Sequence, residues 1–285
     1  MNKIPVARLW HKKGKLEYYT MFQLKKHFPD LDFEFHIVLD QPNYKDEWSE
    51  KIDGLPYKCF WYSKEDMHEY LRKSNYANEN FISSIPNFVH FYHILITHYL
   101  RRVYNYTYCF LIEYDVLFNS NDLSQVEKYL KAQTPFGINV PIHPACDKAL
   151  SEQMNNLFQQ NIVKYPNMGF NAGFAGLNLR IFDEFLNASA FNSLLNIFDF
   201  SGIYNEDKTE KTGNIRTIID TQEQSFICLM NALSDDYEIL DPQEYYIFPS
   251  WVDMDYFMKS KVIHFIGHTK PQEMIELINK GLALI

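Results

Sequence analysis

Cysteine is scarce: Cys59, Cys109, Cys146 and Cys228 lie far apart in 285 residues, with no CxxC pair among them. That spacing excludes a disulfide framework and the usual structural zinc sites, and predicts reduced, mostly buried thiols. Basic clusters are also missing. No run of Lys and Arg exceeds a few residues and the formal net charge is −9, so a nucleic-acid polymer or an anionic membrane surface is a poor partner. Nor does any segment approach the roughly 18 uninterrupted apolar residues of a membrane span. The stretch "MNKIPVARLWHKKGKLEYY" has no apolar core of signal-peptide length. The expectation is a cytoplasmic chain with no integral membrane segment. What remains is 46% hydrophobic and 16% aromatic, enough to bury a substantial core. An anionic ligand on so acidic a protein needs local help, from a metal or a single lysine.

The first part of the chain reads as strand, helix, strand. Pro5 to Trp10 is a short apolar run. In "LEYYTMFQLKKHF" the residues Tyr18, Met21, Leu24 and Phe28 fall on one helical face, and "FEFHIVLD" has the β-branched and aromatic content of a strand ending in Asp40. Alternation of this kind predicts an α/β fold with a mainly parallel central sheet flanked by helices. Ligands of such sheets collect at the carboxyl ends of the strands. "YKCFWYS" is a further short strand. "SSIPNFVHFYHILITHYLRRVY" is a buried helix with Ser84 as cap and Pro86 in the first turn. His90, His93 and His98 on it are read as structural, because no carboxylate on the helix completes a ligand set.

Chemistry enters with "YCFLIEYDVLF", where a continuous apolar strand, Tyr108 to Ile112, breaks into Glu113-Tyr114-Asp115 and turns apolar again. Two acids two apart on a strand share a side, and burying both is costly unless a cation neutralises them. Residues 134 to 170 read as loops and a polar helix. In "NMGFNAGFAGLNLRIFDEF", Gly169, Gly173 and Gly176 predict a tight turn entering a strand and then a helix, with backbone free to approach a ligand or another segment. "SGIYNEDKTEKTGNIR" is the most polar stretch, and "TIIDTQEQSFICLMNAL" reads as a helix with acids and amides in its first turn. Near the end, "HFIGHTKP" closes an apolar run. Glu113 and Asp115 are hard oxygen donors and His264 offers a third position, a set suited to Mn²⁺ or Mg²⁺. Lys270 and Gly267 follow where a diphosphate would need charge and close backbone.

Taken in order, the acidic x-Asp pair, "NAGFAGLNL", the Gln/Glu-rich helix start and "HFIGHTKP" resemble GT-A fold glycosyltransferases, the family containing glycogenin and bacterial lipopolysaccharide galactosyltransferases. The resemblance runs from Tyr108 to Pro271. It implies one GT-A (Rossmann-like) domain over 1-285, with a nucleotide-binding half (1-118) and an acceptor-binding, catalytic half (119-285). It also implies transfer of a sugar from a nucleotide diphosphate sugar, UDP-linked, to an acceptor hydroxyl on a carbohydrate or glycoconjugate, with retained configuration.

By the same resemblance, Glu113, Asp115 and His264 hold Mn²⁺ or Mg²⁺, and Gly267 and Lys270 meet the donor diphosphate. Asn171, Ala172 and Gly173 line the donor-sugar and acceptor side. Glu223 and Gln224, or Asp220 on a second alignment of "DTQEQSF", hold the transferred sugar beside the reacting carbon. Leu9, Trp10 and His11 lie near the base. Glu113 stands where the family pattern has Asp, and Gln272 where it has Trp. Two other readings are a sugar-1-phosphate nucleotidyltransferase and a non-catalytic nucleotide-sugar-binding protein. The first calls for a Gly-rich, basic turn after the first strand, and "VARLWHKKGKL" has only Gly14.

Overall fold

The computed structural model describes residues 3–10, 14–39, 47–85, 91–140, 156, 169–184, 230, 231, 233–248, 259–265 and 274–276. Its first half runs β1 (Ile4–Trp10), α1 (Gly14–His27), β2 (Phe33–Leu39), α2 (Glu47–Asp53), β3 (Lys58–Tyr62), α3 (Lys64–Ser74), α4 (Glu79–Ser84) and α5 (Tyr92–Tyr104). Then come β4 (Tyr108–Ile112), β5 (Val116–Phe118), α6 (Ser124–Ala132), β6 (Phe136–Val140), β7 (Gly169–Asn178), β8 (Glu238–Leu240), β9 (Tyr245–Phe248) and β10 (Val262–Phe265).

Seven strands form the main sheet in the order β3-β2-β1-β4-β7-β6-β8, and β5-β10-β9 form a small second sheet. The pairs β1–β2, β1–β4, β2–β3 and β6–β8 are parallel, while β7 runs antiparallel to both its neighbours. Every residue of β1, β2 and β4 is buried, which is why these strands read as apolar runs. One core packs Ala7, Leu9 and Leu111 against Ile94 and Leu95 of α5. The other packs Val6, Trp10 and Phe110 against Met21, Leu24 and Phe28 of α1. Among these, each fully buried Val, Leu, Ile, Phe or Met contributes roughly 1.5–3 kcal/mol relative to leaving it exposed.

The structure departs from the sequence reading in four places. Ser84 does not cap the long helix. It ends α4, which Asn78 caps by accepting from the Phe81 N–H, and the next described helix, α5, runs from Tyr92; Pro86 and His90 lie outside the described residues. The end of α4 has a local cause: Ile85, which precedes Pro86, is extended at ψ 130°, as a residue before proline prefers. A strand, β6, occupies Phe136–Val140, where the sequence reading has loop; the polar helix expected over 147–161 lies outside the described residues except at 156, which is helical. The glycines of Gly169–Asn178 lie within a ten-residue strand, not a turn. Finally, Glu113 and Asp115 do not sit on one strand. The chain turns there, leaving the main sheet at Ile112 and entering the small one at Val116.

Candidate metal centre

The turn from β4 to β5 is held on three sides by its neighbours. From β7, Gly173 O accepts the Glu113 N–H at 2.8 Å, continuing the β4–β7 ladder that pairs Ile112 with Phe174. From β10, the Phe265 N–H donates to Asp115 O at 2.9 Å, beside the pairing of His264 with Val116. From α1, Thr20 Oγ1 donates to Tyr114 O at 2.8 Å, and Gln23 Oε1 accepts the Phe118 N–H at 2.9 Å. Two antiparallel registers thus bring residues 149 positions apart into contact.

The contact is between an imidazole and two carboxylates. His264 Nε2 lies 3.1 Å from Asp115 Oδ1 and 3.0 Å from Glu113 Oε2. Asp115 and His264 are buried and Glu113 is nearly so. One ligand atom from each of the three lies within 4.8 Å of the others. Among the described residues, this is the acidic and imidazole group close enough to share one cation. Burial alone would push the His264 pKa down, but the Asp115 and Glu113 carboxylates outweigh it and carry it up to about 10. Burial raises the Asp115 carboxyl, with Glu113 adding to the effect and His264 opposing it. The group is therefore an electrostatic sink for positive charge, whether a proton or a metal.

The other imidazole nitrogen, Nδ1, lies 2.8 Å from Asn171 Oδ1, and that oxygen accepts the Gly173 N–H at 3.0 Å. Asn171 is 6% exposed. Its side chain faces the histidine, a contact that the expectation of a donor-sugar lining does not include. Gly173 lies against the imidazole itself. Ala172 continues the strand backbone, and its side chain is outside the described residues.

At the other side of the crevice, β1 ends at Leu9 and Trp10, which are 3% and 0% exposed. Leu9 belongs to one core and Trp10 to the other, where it meets Trp61 edge-on at 5.4 Å. Any contact of these two with a nucleotide base would come from their backbone. Sheet order reverses between β1 and β4, so the crevice between Trp10 and Glu113 is the topological switch point at which open α/β sheets bind ligands. His11, Asp220, Glu223, Gln224, Gly267 and Lys270 lie outside the described residues.

One buried charge on β1 is not among the expected site residues. Arg8 is fully buried on β1, with Nε 2.8 Å from Glu17 Oε2 and Nη2 donating to Glu17 O at 3.3 Å. The signal was there, since an arginine inside the apolar run "IPVARLW" requires a partner. His98, one of the three helix histidines, is buried and bonds Tyr70 Oη through Nδ1 at 2.7 Å.

This architecture is the GT-A glycosyltransferase fold. No protein-family model matches the chain, and no curated protein matches it. Solved structures do match. The bifunctional glycosyltransferase WbbM superposes with a TM-score of 0.55 at 13% identity over 97% of this chain. The galactosyltransferase LgtC, solved with donor and acceptor sugar analogues, gives 0.53 at 10% identity over 99% of this chain and 97% of its own. Core-mannan synthase A from Aspergillus fumigatus, in its Mn/GDP form, gives 0.50 at 14% identity over 84% of this chain and 73% of its own. This chain spans 49% of the length of WbbM. At such identities the likeness is one of fold.

Proposed function

We propose that this chain is a metal-dependent glycosyltransferase that moves a sugar, with retained anomeric configuration, from a UDP-sugar to a hydroxyl of a carbohydrate or glycoconjugate acceptor. One observation carries the reading: the Glu113–Asp115–His264 group, with Asp115 and His264 buried and Glu113 partly so, stands at the carboxyl end of β4, at the switch point of a GT-A sheet. Two carboxylate oxygens and one imidazole nitrogen are the donor set that Mn²⁺ or Mg²⁺ takes, the nitrogen favouring Mn²⁺. The set fits such a cation, because one buried and one largely buried acid beside one imidazole leave negative charge for it to neutralise.

Such a cation, when bound, supplies charge neutralisation to a departing nucleoside diphosphate. The chain's own residues divide the remaining work. Glu113, Asp115 and His264 hold the cation. Gly267 and Lys270 follow β10 and meet the diphosphate, and the backbone around Leu9, Trp10 and His11 faces the base. Asn171, Ala172 and Gly173 border the donor sugar, and Gln224 with Glu223 or Asp220 holds that sugar for attack by the acceptor. Holding both substrates together replaces a bimolecular encounter with an oriented one and keeps water from the reacting carbon.

The reading is tested by thermal shift of the purified chain with UDP, GDP, CMP and UDP-sugars, each with Mn²⁺ or with EDTA, beside an Asp115→Asn variant. Stabilisation that needs UDP and Mn²⁺ together and vanishes in the variant supports it. A preference for GDP, the nucleotide bound to the Aspergillus enzyme, would change the donor and keep the reaction class. Metal-dependent binding of UDP-sugar with neither transfer nor hydrolysis would favour the non-catalytic binding protein. No stabilisation by any nucleotide would remove the reading.

A further inference from the structure

The hydrogen bonds around Asn171 determine which nitrogen of His264 is free for a ligand. A backbone N–H can only donate, so the Asn171 atom 3.0 Å from the Gly173 nitrogen is the amide oxygen and not the amide NH₂. An amide oxygen can only accept, so the hydrogen shared with His264 across 2.8 Å is carried by Nδ1. Nε2 is then the ring atom left facing Glu113 and Asp115, at 3.0 and 3.1 Å.

We propose that Asn171 is a positioning residue for the metal centre: it holds His264 as the Nδ1–H tautomer and fixes the rotation of the ring, so that the Nε2 lone pair points between Glu113 and Asp115. The inference rests on the metal-binding reading of that group. It gives Asn171 a second role, the support of a metal ligand, beside the place along the donor sugar that the resemblance implies.

The physical case is one of competition between ring states. An imidazole with no fixed partner on Nδ1 divides its population between two tautomers and two ring orientations, and only one combination offers a lone pair at this position. An outer partner on the far nitrogen keeps Nδ1 protonated, so that the proton given up to a metal is the one on Nε2, between the two carboxylates. Asn171 is suited to this because it is itself held, its oxygen anchored by the Gly173 N–H on the same strand. At 6% exposure of Asn171, bulk water has little access to replace a lost acceptor. Gly173 contributes twice, donating its N–H to Asn171 and leaving the ring room to lie against the strand.

The test is Mn²⁺ binding, read from the electron-paramagnetic-resonance signal of free Mn²⁺, for the wild type, Asn171→Leu, Asn171→Asp and Asp115→Asn. Asn171→Leu keeps the shape and removes the acceptor, and should weaken Mn²⁺ binding by about 10-fold or more. Asn171→Asp keeps an oxygen in place and should bind at least as tightly as the wild type. If Asn171→Leu binds Mn²⁺ like the wild type while Asp115→Asn does not, the metal centre stands and the role of Asn171 falls. If Asp115→Asn also binds like the wild type, the metal-centre reading itself falls. A measurement on the unaltered chain covers the case in which Asn171→Leu does not fold: long-range ¹H–¹⁵N correlation of His264 with diamagnetic Mg²⁺ bound. The proposal expects a protonated Nδ1 and an unprotonated, metal-facing Nε2, and the reverse pattern overturns it.

Discussion

A methyl group on Gly173 would lie 2.7 Å from both ring nitrogens of His264 and closer still to the carbon between them. The imidazole cannot easily retreat, because Asn171 holds one nitrogen and the Asp115–Glu113 pair meets the other. Gly173→Ala should therefore displace His264, cost about 1–3 kcal/mol as overpacking does, and abolish the rise in Tm that the proposed metal centre predicts for Mn²⁺. Gly176→Ala is the control. Its methyl would press on Tyr108 and lie 2.8 Å from Phe136 Cδ1, away from the cluster. That variant should lose stability and keep the Mn²⁺ response, so equal responses in the two variants would refute the distinction.

How much of this was legible before the structure depends on whether the cause is local. The strands β1, β2 and β4 are buried along their whole length, so their apolar runs announce them. The pattern at Glu113 and Asp115 reads as strand where the chain turns, because what bends it there is distant in sequence: Gly173, Phe265 and Thr20 each bond a different residue of the turn. Likewise β6 is only "FGINV", and its partners β7 and β8 come from far along the chain. Glycine normally marks a turn, yet Gly173 and Gly176 sit in a strand because His264 in one case, and Tyr108 with Phe136 in the other, occupy the space of a side chain. The grouping of His264 with Glu113 and Asp115 could not be read from spacing at all. Donor chemistry suggests it and the resemblance specifies it, and the two sheet registers give its physical basis.

The Arg8–Glu17 pair predicts an asymmetric mutational response. Both side chains are 0% exposed, and Arg8 Nη1 has no hydrogen-bond partner among the described residues. Glu17→Ala leaves a buried guanidinium uncompensated and should cost about 3–5 kcal/mol, whereas removing both charges as Arg8→Met with Glu17→Leu should cost far less. Urea unfolding of the single and double variants measures this. A double variant as unstable as Glu17→Ala would mean that the pair holds the fold through shape, not charge.

Stability should fall on the acid side of neutrality. Burial pushes the pKa of His36 down to about 4 in spite of Glu34, and that of His98 to about 3. Below the ordinary value of about 6.5 the unfolded chain takes up protons that these buried rings refuse, so stability drops as pH falls from about 6.5 toward 4. At about 1.4 kcal/mol per pH unit and per group, the two together reach several kcal/mol. His264 acts in the opposite sense. With its pKa raised to about 10 in the metal-free chain, its contribution is complete below about 6.5 and is lost as pH rises toward 10. Urea midpoints in EDTA across this range give both limbs, and His98→Leu should flatten the acid one. An acid limb unchanged by that substitution would assign it to other groups.

Glu113 raises the sharpest question of reach, because it carries one methylene more than the Asp of the motif it resembles. In the structure its longer arm brings Oε2 to 3.0 Å from His264 Nε2, matching the 3.1 Å of Asp115 Oδ1. The backbone at this position is not free to compensate for a shorter side chain, since the Glu113 N–H is bonded to Gly173 O at 2.8 Å. Glu113→Asp would therefore withdraw the carboxylate by about one C–C bond, roughly 1.5 Å, where metal–ligand distances tolerate only about 0.2 Å. Although it restores the motif, this substitution should weaken Mn²⁺ binding by about 10-fold or more, a loss of about 1.4 kcal/mol per factor of ten. Titration of Mn²⁺ into both proteins decides it. Equal or tighter binding by Glu113→Asp would show that the turn between β4 and β5 moves to meet the ion, and that its three backbone and side-chain anchors do not set the geometry of the centre.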